Sequence, residues 1–120
     1  MSYVDGYVIP VPKKNLKTYA RMAKMGAALW MKHGALDYKE CVGDDFDTKW
    51  GMPFPKAVKV KPDETVVFSY IVFKSKAHRD RVNAKVMKEM EKLEKAECMK
   101  DMPFDIKRMV YGGFKVLVEV

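Results

Sequence analysis

Histidine and cysteine, which often serve as metal ligands or nucleophiles, occur only twice each in this chain, and they do not cluster. His33 and His78 each lack a second histidine three or four residues away, and no CxxC pair is present. This pattern does not predict a metal site, because such sites draw closely spaced ligands. Cys41 falls inside a predicted strand, where we expect a buried thiol rather than an exposed, acidified nucleophile. We therefore predict no metal and no other cofactor.

Three further polar residues allow both a structural and a chemical interpretation. His33 directly precedes Gly34 and fits the last turn of a predicted helix, where the helix dipole favours a positive charge. Asp105 and Arg108 are spaced to form an ion pair that would tie down the last loop. Each of the three could instead orient a bound ligand, so both interpretations stay open.

A glycine-aromatic segment near the C-terminus is similar to an RNA-binding motif. Residues 111–118 read YGGFKVLV, which resembles the RNP1 pattern of RNA-recognition domains. That motif belongs on the third strand of such domains, whereas here it falls on the fourth predicted strand. RNA binding is therefore an alternative function, but we do not expect nucleic acid to be the partner.

Two similar passes of strand, helix and strand must position these side chains. The predicted order is strand 3–9, helix 15–33, strand 36–42, strand 65–73, a helix from 75 to about 97, and strand 114–120. A βαββαβ order predicts an α+β, ferredoxin-like fold, with two helices on one face of a four-stranded antiparallel sheet. We expect one such domain over residues 1–120. Met22, Met25 and Leu29 widen the apolar face of the first helix, which predicts a contact besides its own sheet.

The predicted strands are apolar on both sides, although two helices can cover only one face of a sheet. The segment 66–73, VVFSYIVF, shows this most clearly, because a strand with one wet face should alternate apolar and polar residues. The uncovered face would expose roughly 600–800 Å², which monomers rarely tolerate and which matches one side of a standard interface. We therefore predict a homodimer whose sheets pack face to face.

Composition limits the remaining possibilities. The chain has 120 residues, 48% of them hydrophobic, and no apolar run approaches the roughly 20 residues of a membrane span. Its first residues lack the features of an export signal, and two cysteines are too few for a disulfide framework, so we predict a cytoplasmic protein with no membrane partner. The net charge is +7, and residues 13–36 carry six basic side chains and no acid, which we interpret as a solvated helix face.

Several sequence segments resemble the YbaA-like proteins, a family of small bacterial proteins of unknown function. The most specific is the run 102–114, MPFDIKRMVYGGF, and shorter matches include Gly6-Tyr7-Val8, Gly34-Ala35-Leu36 and Arg79-Asp80. The resemblance runs nearly end to end. It implies the dimeric α/β-barrel superfamily, in which ferredoxin-like subunits pack their sheets together as a dimer.

Dimeric barrels of this kind often hold a pocket between sheet and helices, so the resemblance also implies a ligand. We expect this protein to bind a small apolar or aromatic molecule; the alternative is a cofactor-free monooxygenase- or isomerase-like enzyme acting on a small aromatic substrate. Aromatic and polar side chains suit such a pocket. The candidate ligand-binding residues are Tyr7, Tyr38, Trp50 and Tyr70 for the aromatic walls, and His33, Glu40, Asp105 and Arg108 for the polar groups. We assign no catalytic residue.

Overall fold

The computed structural model describes residues 1–97 and 102–120, so Cys98 lies outside the described residues. The elements are β1 (Tyr3–Pro12), α1 (Leu16–Lys32), β2 (Asp37–Val42), the short helix α2 (Phe54–Ala57), β3 (Glu64–Phe73), α3 (Lys76–Glu97) and β4 (Val110–Lys115). None of the described helices has the length and apolar character to cross a membrane.

The four strands form one antiparallel sheet in the order β2-β3-β1-β4. The long strands β1 and β3 lie in the centre and pair along their whole length, from Tyr3 opposite Phe73 to Pro12 opposite Glu64. Each half of the chain therefore contributes one central and one edge strand. The prediction of an α+β, ferredoxin-like fold is confirmed.

Local signals in the sequence determine where α1 ends and where α3 begins. Gly34 follows α1 with φ of 110°, a conformation that glycine adopts without steric cost, and it ends the helix. Ser75 begins α3, because its hydroxyl accepts a hydrogen bond from the His78 backbone N–H at 3.1 Å. Asn15 has a different role, since it makes no cap bond and donates instead to the Pro103 carbonyl at 3.1 Å.

The predicted position of the last strand was wrong. β4 spans Val110–Lys115 rather than 114–120, and its pairing with β1 places Gly112 opposite Gly6 and Tyr111 opposite Tyr7. Gly112 and Gly113, which precede the predicted strand, lie in the middle of the observed one. The apolar residues beyond Lys115 leave the sheet, and Leu117 and Val118 are 88% and 77% exposed.

Alternate residues of the strands point to opposite faces of the sheet, and the helices α1 and α3 cover one of them. Tyr3, Ile9 and Val11 of β1 are buried on this face, as are Ile71 and Phe73 of β3. The helices contribute the other core side chains: Tyr19, Ala23 and Trp30 from α1, and Val82 and Val86 from α3. We call this side the helix face.

The opposite side, which we call the free face, is apolar and incompletely covered. The chain covers one end of it, because Phe54 of α2 packs edge-on against Phe68 at 6.2 Å between ring centroids. Phe68 nevertheless stays 42% exposed, and on β4 Val110 and Phe114 are 54% and 62% exposed. The connection between β2 and β3 thus covers part of the free face and leaves an apolar patch open to a partner.

Candidate functional site

A cavity of about 270 Å³ lies on the helix face, between the sheet and the two long helices. Its walls are mostly apolar or aromatic, and five methionines stand among them. The lining residues with functional interest are Tyr7, Tyr19, Trp30, Tyr38, Glu40, Ser69 and Phe104, together with Met22, Met25, Met90, Met102 and Met109. Methionine side chains are flexible and polarizable, so walls built from them adapt to ligands of different shape.

One carboxylate, flanked by two phenols, forms the polar part of this cavity. The Glu40 side chain accepts a hydrogen bond from the Tyr19 hydroxyl at 2.7 Å on Oε1, and from the Tyr38 hydroxyl at 2.6 Å on Oε2. Tyr38 and Glu40 are two residues apart on β2 and so share a face, while Tyr19 comes from the facing side of α1. The short distances are typical of hydrogen bonds to an ionised acceptor.

Burial keeps the phenols of the cavity protonated. Desolvation is the main cause that raises the pKa of Tyr19 and of Tyr38 far above the ordinary value, and the hydrogen bond to Glu40 raises both further. Desolvation also raises the pKa of Tyr7, helped by the nearby Asp5 carboxylate. All three hydroxyls are therefore neutral across the physiological range, and two of them direct their protons at Glu40.

A second, more open groove of about 430 Å³ runs between α1 and the edge strand β2. It shares Tyr19, Ala23, Tyr38 and Glu40 with the cavity, so the Glu40 carboxylate stands between the two spaces. Lys24 lines the groove but not the cavity.

A buried polar network supports the cavity wall at Trp30. Asp5 is fully buried and accepts hydrogen bonds from Arg79 Nε at 3.0 Å and 3.2 Å. Asn83 bridges this pair to the cavity, because its Nδ2 lies 3.4 Å from Asp5 and its Oδ1 accepts from Trp30 Nε1 at 2.9 Å. The indole that forms part of the wall is thus fixed in orientation from behind.

The structure brings three of the eight predicted site residues together. Tyr7, Tyr38 and Glu40 all line the cavity. The Tyr7 ring also stacks on Tyr111 with centroids 4.8 Å apart, which holds it against the sheet.

The other five predicted residues lie elsewhere. His33 contacts Glu89 at 2.8 Å at the C-terminal end of α1, and Trp50 is 86% exposed in the connection after β2. Tyr70 lies on the free face, where its ring is 6.2 Å from that of Phe68. Asp105 accepts from the Lys107 backbone N–H and so stabilises a turn.

Two structural expectations were wrong. Arg108 does not pair with Asp105; it pairs with Glu64, with an Nη1–Oε2 distance of 2.6 Å, and also donates to the Lys59 carbonyl. The last loop is therefore anchored to the start of β3. Cys41 is exposed rather than buried, because β2 is an edge strand and the thiol points away from the helices.

We expect the Glu64–Arg108 pair to make stability depend on acid pH. Hydrogen bonds from Arg108 hold the pKa of the Glu64 carboxyl below its ordinary 4.5, so the stabilisation is present above that pH and is lost as the pH falls through the lowered value. Glu64→Gln should lower the free energy of unfolding by about 1–2 kcal/mol at neutral pH. In urea titrations at several pH values, the difference from wild type should shrink below pH 4.5. A difference that stays constant down to acid pH would contradict this assignment.

Several cavity residues were not predicted as site residues, among them Tyr19, Trp30 and Ser69. One sequence signal pointed to the space itself: the second apolar shoulder of α1. Met22, Met25 and Leu29 do not pack on the sheet alone; they line the cavity, which Met90 and Leu93 of α3 also border. Among the described residues, no three His, Cys, Asp or Glu side chains are grouped so that they could hold a metal ion.

Comparison with known proteins assigns this chain to a family. A family model described as "Protein of unknown function (DUF1428)" matches residues 2–106. Two proteins called "Uncharacterized protein YbaA", from Escherichia coli and Shigella flexneri, are each 41% identical over 119 residues, covering 99% of this chain and 99% of theirs. A solved dimeric ferredoxin-like protein from an uncultured marine organism covers 100% of both chains with a TM-score of 0.51 and 11% identity, a likeness of fold alone. The chain therefore belongs to the DUF1428 family of proteins of unknown function, and it is similar to YbaA over nearly its full length.

Proposed function

We propose that this protein is a homodimeric, cytoplasmic binding protein that takes a small apolar or aromatic molecule into the cavity between sheet and helices. The observation that carries the proposal is the cavity itself, with apolar and aromatic walls around one carboxylate-phenol cluster. Ligand sites typically combine a largely apolar, concave wall with a few polar groups that fix orientation. Of the eight candidate residues, this proposal keeps Tyr7, Tyr38 and Glu40, and it adds Tyr19.

The size of the cavity supports a ligand with one or two rings. An engineered dry cavity of about 150 Å³ is large enough to take up benzene, and this one measures about 270 Å³. The exposed side chains of Met25 and Leu93 lie along its border, at 59% and 40% exposure, so the cavity opens towards solvent between α1 and α3.

We expect a neutral aromatic probe, benzyl alcohol, to bind in the cavity. Methionine methyl groups report the location, because five of them line the cavity, while Met1, Met31, Met52 and Met87 are exposed elsewhere. With ¹³C-methyl-methionine labelling, benzyl alcohol should shift the cavity signals in a saturable way and leave those four in place. Calorimetry on the same protein gives the dissociation constant.

A variant that fills the cavity provides the test. A Cβ at Gly26 would lie 3.4 Å from the Trp30 ring and 3.9 Å from the Met90 methyl, so a side chain there enters the cavity without a backbone clash. Gly26→Leu should weaken the binding of benzyl alcohol at least about tenfold, by removing the volume that it occupies. The matched control is Ala28→Leu, which adds a leucine to an exposed position of the same helix. Equal binding by both variants, or no saturable shift in the wild type, would overturn the proposed function.

The exposed apolar patch of the free face supports the dimer. Phe114 lies across Gly6 and Gly112 there, with one ring carbon 3.5 Å from the Cβ position of Gly6, so a flat apolar surface faces outwards. The solved protein of similar fold is itself described as dimeric. Two copies related by a two-fold axis would cover each other's patches.

Light scattering should therefore give twice the 13.9 kDa mass of one chain at micromolar concentration. Phe114→Glu should shift the protein to the monomer, because association would bury a carboxylate of each subunit in the interface. Met31→Glu is the matched control, since Met31 is 48% exposed on the other side of the molecule. A wild-type mass of 13.9 kDa, or a Phe114→Glu dimer as stable as the control, would contradict the assembly.

A further inference from the structure

The charge inside the cavity narrows the class of ligand further. Glu40 is the one carboxylate among the described residues that line the cavity, and no lysine, arginine or histidine accompanies it there. Within the part of the chain that the structure describes, the Glu40 carboxylate has no salt-bridge partner; its two hydrogen bonds come from neutral phenols. The negative charge is thus stabilised by dipoles and is not neutralised.

The free hydrogen-bonding positions of the carboxylate-phenol cluster are all acceptors, which also favours a ligand that donates. Each carboxylate oxygen of Glu40 accepts one hydrogen bond from a phenol and keeps a lone pair for another donor. The hydroxyls of Tyr19 and Tyr38 have already committed their protons to Glu40, so their oxygens can only accept from a ligand. A molecule that binds next to this cluster must bring its own hydrogen-bond donors, and an acceptor-only group would face repulsion.

Aromatic rings line the same cavity as this carboxylate. The rings of Trp30 and Tyr38 lie 5.9 Å apart, and the ring of Tyr19 meets that of Phe104 edge-on at 5.6 Å. Faces of tryptophan and tyrosine attract cations, most strongly where water is excluded. One carboxylate among aromatic walls is therefore suited to a positively charged group.

We propose, on the basis of the binding function above, that the ligand is a small organic amine, bound as its ammonium form with the charge at Glu40 and its apolar body among the aromatic and methionine walls. The ammonium group donates to the free lone pairs of Glu40 and to the phenol oxygens. The net charge of +7 opposes the accumulation of cations on the surface, so a preference for an amine would arise in the cavity itself.

Three probes of one shape but different charge test the inference: benzylamine, benzyl alcohol and benzoate, measured by calorimetry at neutral pH and located by the methionine methyl signals. We expect benzylamine to bind at least about tenfold more tightly than benzyl alcohol, and benzoate to bind more weakly than both. Glu40→Gln should bring benzylamine to within about threefold of benzyl alcohol, while benzyl alcohol itself changes little. Glu91→Gln makes the same change of charge at an exposed position of α3 and should keep the preference.

The outcomes separate the two proposals. If benzyl alcohol binds in the cavity and benzylamine binds no more tightly, the amine inference is wrong and the binding function stands. If the preference for benzylamine survives in Glu40→Gln, the charge at Glu40 is not its cause, and the inference is likewise wrong. If none of the three probes reaches the cavity, the proposed function falls and the inference falls with it.

Discussion

Arg79→Leu is expected to lower the free energy of unfolding by about 3–5 kcal/mol, because it leaves a buried carboxylate without its partner. Asp5 is fully buried in the central strand β1, and Arg79 on α3 holds it with two contacts of 3.0 Å and 3.2 Å. The guanidinium also lies 5.0 Å above the centre of the Tyr3 ring. A leucine would lose this attraction between cation and ring. After the substitution, the long contact from Asn83 would be the one that remains on the Asp5 carboxylate from the described residues.

Urea unfolding at one fixed protein concentration measures this effect. Arg81→Leu is the matched control, because Arg81 is exposed on the same helix and its loss should change stability by less than about 0.5 kcal/mol. Combining Arg79→Leu with Asp5→Asn should recover part of the loss, since the uncompensated charge is then removed. If Arg79→Leu costs no more than the Arg81→Leu control, the contact between Asp5 and Arg79 does not stabilise the fold as expected.

The fold could be predicted from sequence because the patterns that indicate strands and helices are local, and the same order of elements occurs twice. The central strand β3 is a run of β-branched and aromatic residues, and the apolar period of α1 ends just before Gly34. The last strand was misplaced because residues 114–120 look more like a strand than Val110–Lys115 does. Pairing with Tyr7 and Gly6 of β1 decided the position, and pairing between distant strands is not encoded in local propensity.

The candidate site could be predicted only in part, because its members come together from separate elements. Tyr38 and Glu40 share a strand and alternate to the same face, so their grouping follows from spacing alone. Tyr19 joins them through the packing of α1 on β2, for which no residue in the sequence gives a signal. Trp50 and Tyr70 are aromatic, as a ligand site requires, but Trp50 is exposed in a loop and Tyr70 lies on the free face. Exposure and sheet face depend on tertiary structure. Arg108 pairs with Glu64 rather than with Asp105, which is nearer in sequence, because the pairing likewise depends on tertiary structure.

The polar network behind the cavity also explains why β4 carries a glycine at position 113. A Cβ on Gly113 would collide with Arg79 Nη2 and with the Tyr3 hydroxyl, and it would lie 2.8 Å from Tyr3 Cε2. Neither neighbour can move freely, because Arg79 is bound to the buried Asp5 and Tyr3 is only 8% exposed. Close approach of side chains, not backbone conformation, thus requires glycine at this position.

Gly113→Ala should therefore destabilise the protein by about 1–3 kcal/mol, the usual cost of overpacking. Gly112→Ala is the matched control on the neighbouring residue, because a Cβ there would meet only the Phe114 ring at 3.8 Å, an ordinary contact. In urea titrations the Gly112→Ala variant should stay within about 0.5 kcal/mol of wild type. In an Arg79→Leu background, Gly113→Ala should cost less than it does alone, since one of the two colliding groups is gone and the effects are coupled. Equal costs for the two glycine variants would show that Arg79 and Tyr3 do not approach β4 as closely as described.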